Sequence, residues 1–254
     1  MAILGGSGFV GQEMCRVGLR KGYEVTAISR RGMPPKMAKD LEYKPINWVS
    51  ADCAEYDELK AVLSENGPFD AYVHTIGLLF DVDSGFSQYN SFVSGSSSTP
   101  STASTYDRIT RQTAFNLIDF IEEEDRKEKE KPPFLFVSAA EAGWTLETPV
   151  GWLERYLIAK RKVEKRLMES SAVRDVILRP SLIWSMEQPQ ALPSVCAFYI
   201  GNAVGLRFVD KPVRLETLCR AGYTAMASRE ERGVLRYMDM ERLSKNAPSY
   251  PSAK

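Results

Sequence analysis

The apolar run Met1 to Leu4 leads straight into glycines. Beyond them Met14, Val17 and Leu19 stand among polar residues with helical spacing between Gln12 and Lys21. Strand, turn and helix are the elements this pattern predicts. A second strand is predicted at Glu24 to Ile28, after Gly22 and ahead of a loop marked by the prolines at 34 and 35. Further strands are predicted at Ile46 to Ala51, Ala71 to Ile76, Phe134 to Ser138 and Val176 to Arg179, the last stopped by Pro180. Helices are predicted at Tyr56 to Glu65, Tyr106 to Glu124 and Trp152 to Ser170. The second of these carries a broad apolar face of Ile109, Thr113, Phe115, Leu117, Ile118 and Ile121. It runs into the mixed charges of Glu122 to Lys131, which read either as a solvated helix end closed by Pro132-Pro133 or as a docking site.

Alternation of strand and helix argues an α/β fold, a doubly wound parallel sheet of the Rossmann type with a small C-terminal α-rich substrate or docking region. The expected division is a nucleotide-binding domain over 1–185, a small C-terminal region over 186–245 and an unstructured tail over 246–254. Ser84 to Thr105 is rich in Ser, Thr and Gly and has little to bury, so it reads as a mobile polar loop. Leu192 to Leu206 carries Val195, Phe198, Tyr199, Ile200 and Val204. It is either a core helix, a wall for a large apolar ligand such as a polyprenyl quinone, or a surface docked on a membrane complex.

Composition narrows the function classes. The chain has 254 residues, 44% of them hydrophobic, and its 33 basic and 33 acidic residues cancel, so no global field favours nucleic acid. Cys15, Cys53, Cys196 and Cys219 form no C-x-x-C pair, and His74 is the only histidine, which argues against zinc; a nucleotide fold of this size needs no disulfides either. No apolar run approaches the ~18 residues of a transmembrane helix. No leader or arginine-rich segment precedes the first strand, so a targeting peptide is expected to be absent or to lie outside these residues.

Candidate chemistry starts at Gly5-Gly6-Ser7-Gly8-Phe9-Val10-Gly11. Glycines let backbone approach a pyrophosphate, and the following helix aims unpaired N–H groups and its positive dipole end at the phosphates. With a second strand at the right distance, the motif points to a dinucleotide. The end of that second strand offers Ser29, Arg30 and Arg31 and no carboxylate. This favours NADP(H), whose 2′-phosphate arginine can pair, over NAD(H), although arginine can also stack on adenine. Asp52 is placed either to accept from the adenine amino group or to cap a helix. Thr75, Ile76 and Gly77 should pass beside the cofactor, Gly77 allowing close backbone approach, while His74 reads as a packed core residue. Tyr156 and Lys160, four apart, share one helix face. They are either an exposed pair or an acid/base pair in which lysine's charge lowers the phenol pKa and its ammonium holds the nicotinamide ribose.

Gly5-Gly6-Ser7-Gly8-Phe9-Val10-Gly11, Val73-His74-Thr75-Ile76-Gly77, Tyr156-Leu157-Ile158-Ala159-Lys160 and Arg179-Pro180 together resemble the short-chain dehydrogenase/reductase superfamily, in its extended or atypical branch, over roughly residues 1 to 185. Within it, Ser29-Arg30, His74-Thr75-Ile76-Gly77-Leu78-Leu79 and Lys160-Arg161-Lys162-Val163-Glu164 are most similar to a mitochondrial group. That group contains the nucleotide-binding accessory subunit of respiratory complex I and the dehydrogenase-like proteins of coenzyme Q biosynthesis; the shorter C-terminal region resembles the latter more. The resemblance implies a protein on the matrix side of the inner membrane, bound to an assembly of the respiratory chain or of quinone synthesis, with a quinone-like apolar ligand. It also implies contacts of Pro180 with the cofactor and a catalytic triad of Ser138, Tyr156 and Lys160, although the segment Val137-Ser138-Ala139-Ala140 aligns Ala139 more naturally with the family's serine. Two readings follow. One is an NADP(H)-dependent oxidoreductase; the other is an accessory subunit that holds the cofactor without turning it over.

Overall fold

The computed structural model describes residues 1–34, 43–78, 105–124, 131–144, 151–187 and 210–247. Its centre is a sheet of seven parallel strands: β1 (Ala2–Leu4), β2 (Thr26–Ser29), β3 (Asn47–Ser50), β4 (Tyr72–His74), β5 (Pro133–Val137), β6 (Arg174–Leu178) and β9 (Gly233–Leu235). Their order is β3-β2-β1-β4-β5-β6-β9. Helices α1 (Phe9–Arg20), α2 (Tyr56–Asn66), α3 (Thr113–Glu123), α4 (Gly151–Glu169), α5 (Leu215–Ala227) and α6 (Tyr237–Lys245) connect or follow the strands, and β7 (Ile183–Trp184) and β8 (Val213–Arg214) form a separate parallel pair. The sheet is doubly wound, as the alternation of elements predicts.

Successive side chains of a strand point to opposite faces. Ile3, Ala27, Val73, Leu135 and Val176 therefore pack with α1 and α5 on one side. Ala2, Leu4, Ile28, Tyr72, Phe134, Phe136 and Ile177 pack with α2, α3 and α4 on the other. Burial on both faces explains why the inner strands β1, β4 and β5 read as apolar runs, whereas the edge strand β3 is exposed at Asn47 and Ser50. Strand order reverses beside β1, where Leu4 is in register with Ile28 on one side and His74 on the other. A crevice beyond the strand ends at this switch point is where such sheets take ligands.

Several boundaries differ from the sequence-based expectation for local reasons. Helix α1 begins at Phe9, because Gly8 takes the extended N-cap conformation directly after the turn. Strand β4 stops at His74 instead of Ile76, and just beyond it the Thr75 N–H and hydroxyl both donate to Leu4 O, at 3.0 and 2.8 Å, which ties this end to β1. The helix expected from Tyr106 is π-helical over Asp107–Gln112 and α-helical only from Thr113. There the Thr113 hydroxyl donates to Ile109 O at 2.7 Å and so inserts into the backbone ladder, a recognised cause of such bulges. The elements α5, β9 and α6 lie in the C-terminal region. Strand β9 extends the main sheet, Ile177 pairing with Val234, and the Tyr223 hydroxyl on α5 donates to Met14 O on α1 at 2.7 Å. The described part of 186–245 thus packs on the nucleotide-binding sheet. The polar segment at 84–104, most of the charge run (125–130), Leu192 to Leu206, Cys196 and residues 248–254 lie outside the described residues.

Where β6 leaves the sheet, the Arg179 guanidinium donates from Nε to Glu164 Oε1 at 2.9 Å and from Nη2 to Oε2 at 2.6 Å, with the Glu164 side chain only 3% exposed. A bidentate pair of this kind is sound only while both partners are present. Arg179→Ala strands a buried carboxylate on α4 and is expected to destabilise the fold by about 3–5 kcal/mol in urea unfolding. A loss under about 1 kcal/mol, the worth of an exposed pair, would show that Glu164 is solvated.

Candidate cofactor and catalytic site

The glycine turn sits at the switch point. The Gly5 N–H donates to Ile28 O and the Gly8 N–H to Gly5 O, both at 2.8 Å, which closes a tight turn. Gly5 has φ +84°, a conformation that a side chain disfavours. A Cβ on Gly11 would lie 2.1 Å from Gly5 O, so the helix can pack over the turn only without one. The N-cap Gly8 makes no side-chain capping bond, and the first turn of α1 holds no acidic residue. Its N–H groups and positive dipole end are therefore available to an anion. Ser7, Phe9 and Val10 are half-buried around this turn.

At the end of β2, the Ser29 Oγ is buried with no hydrogen-bond partner, while Arg30 beside it is exposed and Arg31 half-buried. The Gly32 N–H closes a turn on Ser29 O at 3.0 Å. Of the two roles open to Asp52, a local one is realised: Oδ1 accepts from the Ala54 N–H at 3.0 Å, capping the turn ahead of α2, whose own N-cap is Glu55. Oδ2 pairs with Arg108 at 3.0 Å, and Arg108 also reaches Glu55 at 2.7 Å.

The second half of the site converges on Lys160, which is 4% exposed. Its Nζ donates to Val137 O at 2.7 Å, lies 4.8 Å from the Phe136 ring centre and 5.7 Å from that of Tyr156, and would stand 3.6 Å from a Cβ on Gly77. The ends of β4 and β5 and one face of α4 are thus joined at one ammonium. Ser138, next along the chain, is buried and its Oγ has no partner, whereas Ala139, also buried, offers no donor. The chain then enters a short 3-10 turn, Ala140–Gly143, where the Ala140 N–H donates to Pro180 O at 2.7 Å.

Two contributors escaped the sequence reading. Arg161 fastens the turn after β5 to α4, donating to Ala142 O at 3.1 Å and Trp144 O at 2.9 Å. Tyr106 is buried and stands edge-on to the Tyr156 ring, with centroids 5.5 Å apart and planes at 68°. Arg161 adjoins Lys160, and Tyr106 opens the helix after the polar segment. Neither has a pattern of its own that would signal a part in the site.

The electrostatics correct one expectation. Lys160 does not draw the Tyr156 phenol down. Burial, followed by the charge of Glu141 and the neighbouring Tyr106, pushes it up, so Tyr156 keeps its proton at neutral pH. The lysine is itself desolvated and drops to about 8, with Glu164 opposing the fall. His74 is fully buried, its Nε2 2.8 Å from Thr113 Oγ1. Burial and then Lys160 push it down to about 3, which leaves a neutral imidazole. Among the described residues no group of His, Cys, Asp and Glu could hold a metal ion, Cys15, Cys53 and Cys219 are free thiols, and no helix is long and apolar enough to cross a membrane.

The glycine cradle, the unpartnered hydroxyls of Ser29 and Ser138, and the Tyr156–Lys160 pair fit a dinucleotide laid across the strand ends. Known proteins agree on the fold. The chain is similar to MIOREX complex component 2 of Saccharomyces cerevisiae, 26% identical over an alignment of 210 residues, with 72% of each chain covered. Among solved structures it is similar to the Bordetella bronchiseptica enzyme WbmH in complex with NAD+, with 18% identity, 93% of this chain and 74% of that one covered and a TM-score of 0.60. It is also similar to the UDP-glucose 4-epimerase of Thermus thermophilus in complex with NAD, with 15% identity, 97% and 83% covered and a TM-score of 0.60. Residues 1–194 match the NAD dependent epimerase/dehydratase family, and the chain accordingly belongs to that family of extended short-chain dehydrogenases/reductases.

Proposed function

We propose that this protein is an NADP(H)-binding, mitochondrial short-chain dehydrogenase/reductase-like enzyme of the respiratory chain and quinone system, reducing a carbonyl or quinone in coenzyme Q metabolism. The observation that supports the catalytic part is the placement of Lys160, which donates to Val137 O, lies 5.7 Å from the Tyr156 ring centre and adjoins Gly77, with the unpartnered Ser138 hydroxyl next along the chain from Val137. NADP(H) is favoured over NAD(H) by the exposed Arg30 and the unpartnered Ser29 hydroxyl at the end of β2. The mitochondrial setting is supported by the similarity to the yeast MIOREX component, and the matrix side of the inner membrane is proposed from the sequence likeness of residues 74–79 and 156–164 to that group alone.

The nicotinamide, when bound, supplies hydride. Tyr156, whose phenol holds its proton, gives that proton to the substrate oxygen as the carbonyl becomes an alcohol. The Ser138 hydroxyl, which spends no hydrogen bond on the protein, donates to the same oxygen and stabilises the developing charge. Lys160 uses one of its three donors on Val137 O and keeps the others for the ribose and for Tyr156. A second reading is favoured by the direction of the Tyr156 shift, which leaves no tyrosinate for alcohol oxidation. In it the protein is a non-catalytic accessory subunit of complex I or of a quinone-synthesis assembly, and NADPH stabilises the fold simply by binding the native state.

The full chain loaded with NADPH and offered quinones and carbonyl compounds is expected to oxidise the cofactor, followed by its absorbance. Tyr156→Phe should slow that turnover by about 100-fold or more while cofactor binding persists. No oxidation across the panel, with a melting temperature that falls when NADPH is removed, would establish the accessory role instead. Arg30→Ala should weaken NADPH binding by about tenfold or more and leave NADH binding unchanged; equal losses would remove the 2′-phosphate assignment.

The buried lysine makes a separate prediction. The folded state releases its proton at about 8 and the unfolded chain near 10.5. Below pH 8 burial of the ammonium opposes folding, and this penalty falls away as pH rises through about 8 toward 10.5. The stability of the wild type relative to Lys160→Met should therefore rise by about 3 kcal/mol across that window in denaturant titrations. A pH-independent difference would mean that Lys160 is solvated.

A further inference from the structure

Tyr156 is half-buried on α4, as a group that has to meet a substrate must be, and a second tyrosine stands against its ring. Tyr106 is 2% exposed, with the two ring centres 5.5 Å apart and the planes at 68°, the edge-to-face geometry that aromatic pairs prefer. From Thr105 to Ile109 it is the one fully buried residue, Asp107 being exposed and the others half-buried. A large side chain thus turns inward from an otherwise open stretch of chain, and there it meets Tyr156.

The backbone that carries Tyr106 is held on both sides. The Arg108 N–H donates to Thr105 Oγ1 at 3.2 Å and the Ile109 N–H to Thr105 O at 2.9 Å, which closes the chain around Tyr106. The Arg108 guanidinium then reaches Asp52 and Glu55, between β3 and α2, at 3.0 and 2.7 Å. Partly exposed ion pairs add little to stability, but these fix where the π-helical turn Asp107–Gln112 begins. Lys160 shares α4 with Tyr156, whereas Tyr106 approaches from a separate element. A tyrosine on a helix has more than one rotamer open to it, and a ring packed across its flank selects among them. Tyr106 is also one of the causes, after burial and the Glu141 charge, that keep the proton on Tyr156.

We propose that Tyr106 is a positioning residue for Tyr156: its ring holds the Tyr156 ring in one rotamer and keeps water off that flank, with Arg108 anchoring the turn from which it acts. The use of this contact rests on the reading of Tyr156 as proton donor, since proton transfer falls steeply when the donor is misplaced. The contact itself does not depend on turnover.

The tyrosine Cζ resonances of the full-length protein provide the test, the Tyr156 signal being identified by its loss in Tyr156→Phe. In the wild type that signal should stay in place while exposed tyrosines titrate at about 10. In Tyr106→Leu, which removes the ring, it should titrate at lower pH than in the wild type, the proton being held about tenfold or more less tightly, whereas Tyr106→Phe should follow the wild type. Arg108→Gln, with a partly exposed side chain, serves if Tyr106→Leu does not fold, and should shift the titration in the same direction. With NADPH turnover as the second readout, kcat in Tyr106→Leu should fall by about tenfold or more at unchanged KM for NADPH, and Tyr106→Phe should restore it. A Tyr156 signal that titrates as in the wild type in Tyr106→Leu, or in Arg108→Gln where that chain does not fold, overturns the proposal, as does an unchanged kcat in Tyr106→Leu. A wild type without turnover removes the enzyme reading, and the titration then decides the role of Tyr106 by itself.

Discussion

A lysine ammonium held out of water organises this molecule. Lys160 meets the carbonyl at the end of β5 and the face of Phe136, close to Gly77 three residues past the end of β4. Desolvation of a cation is costly unless each neighbour offsets part of it, and here a backbone oxygen and an aromatic face do so. Position follows from that constraint. Helix α4 must approach the sheet closely enough to bury Lys160, and the same helical turn then brings Tyr156 to the strand ends. His74 stays neutral chiefly because it is buried, with the Lys160 charge adding to that.

The surrounding framework keeps α4 in that place. Arg179 grips Glu164 one turn further along the helix, and Arg161 ties down the segment that follows Ser138. On the other face of the sheet, α5 lies against α1 and joins it through Tyr223, so the helix that begins at the glycine turn is braced from the C-terminal part of the chain. Parallel strands make this economical. The strands of the main sheet all end on the same side, so Gly5, Ser29, Thr75, Ser138 and Pro180, from segments far apart in sequence, lie at or just beyond one edge of the sheet.

Some of this was legible residue by residue. Gly5 to Gly11 announced a phosphate cradle because only glycine tolerates a positive φ at Gly5 and a helix packed directly on a turn at Gly11. Inner strand positions were readable because burial on both faces demands apolar runs. Asp52 was ambiguous for a physical reason: its partner Arg108 is distant in the chain, on the π-helical turn Asp107–Gln112. The direction of the Tyr156 shift was misread because spacing on a helix reports distance and says nothing of solvent. The effect of Lys160 on the phenol depends on what else surrounds both groups.

The amino-acid sequence by itself determined the α/β alternation, the glycine turn, the run of Ser29, Arg30 and Arg31 at the end of β2, and the shared helix face of Tyr156 and Lys160. Each of these is local, set by periodicity or by backbone conformation over a few residues. Tertiary structure alone decided that Lys160 is buried against Val137, that Tyr156 keeps its proton, and that β9 and α5 complete the sheet and its cover. Those outcomes depend on dielectric surroundings and on contacts between residues remote in sequence, which no local pattern encodes.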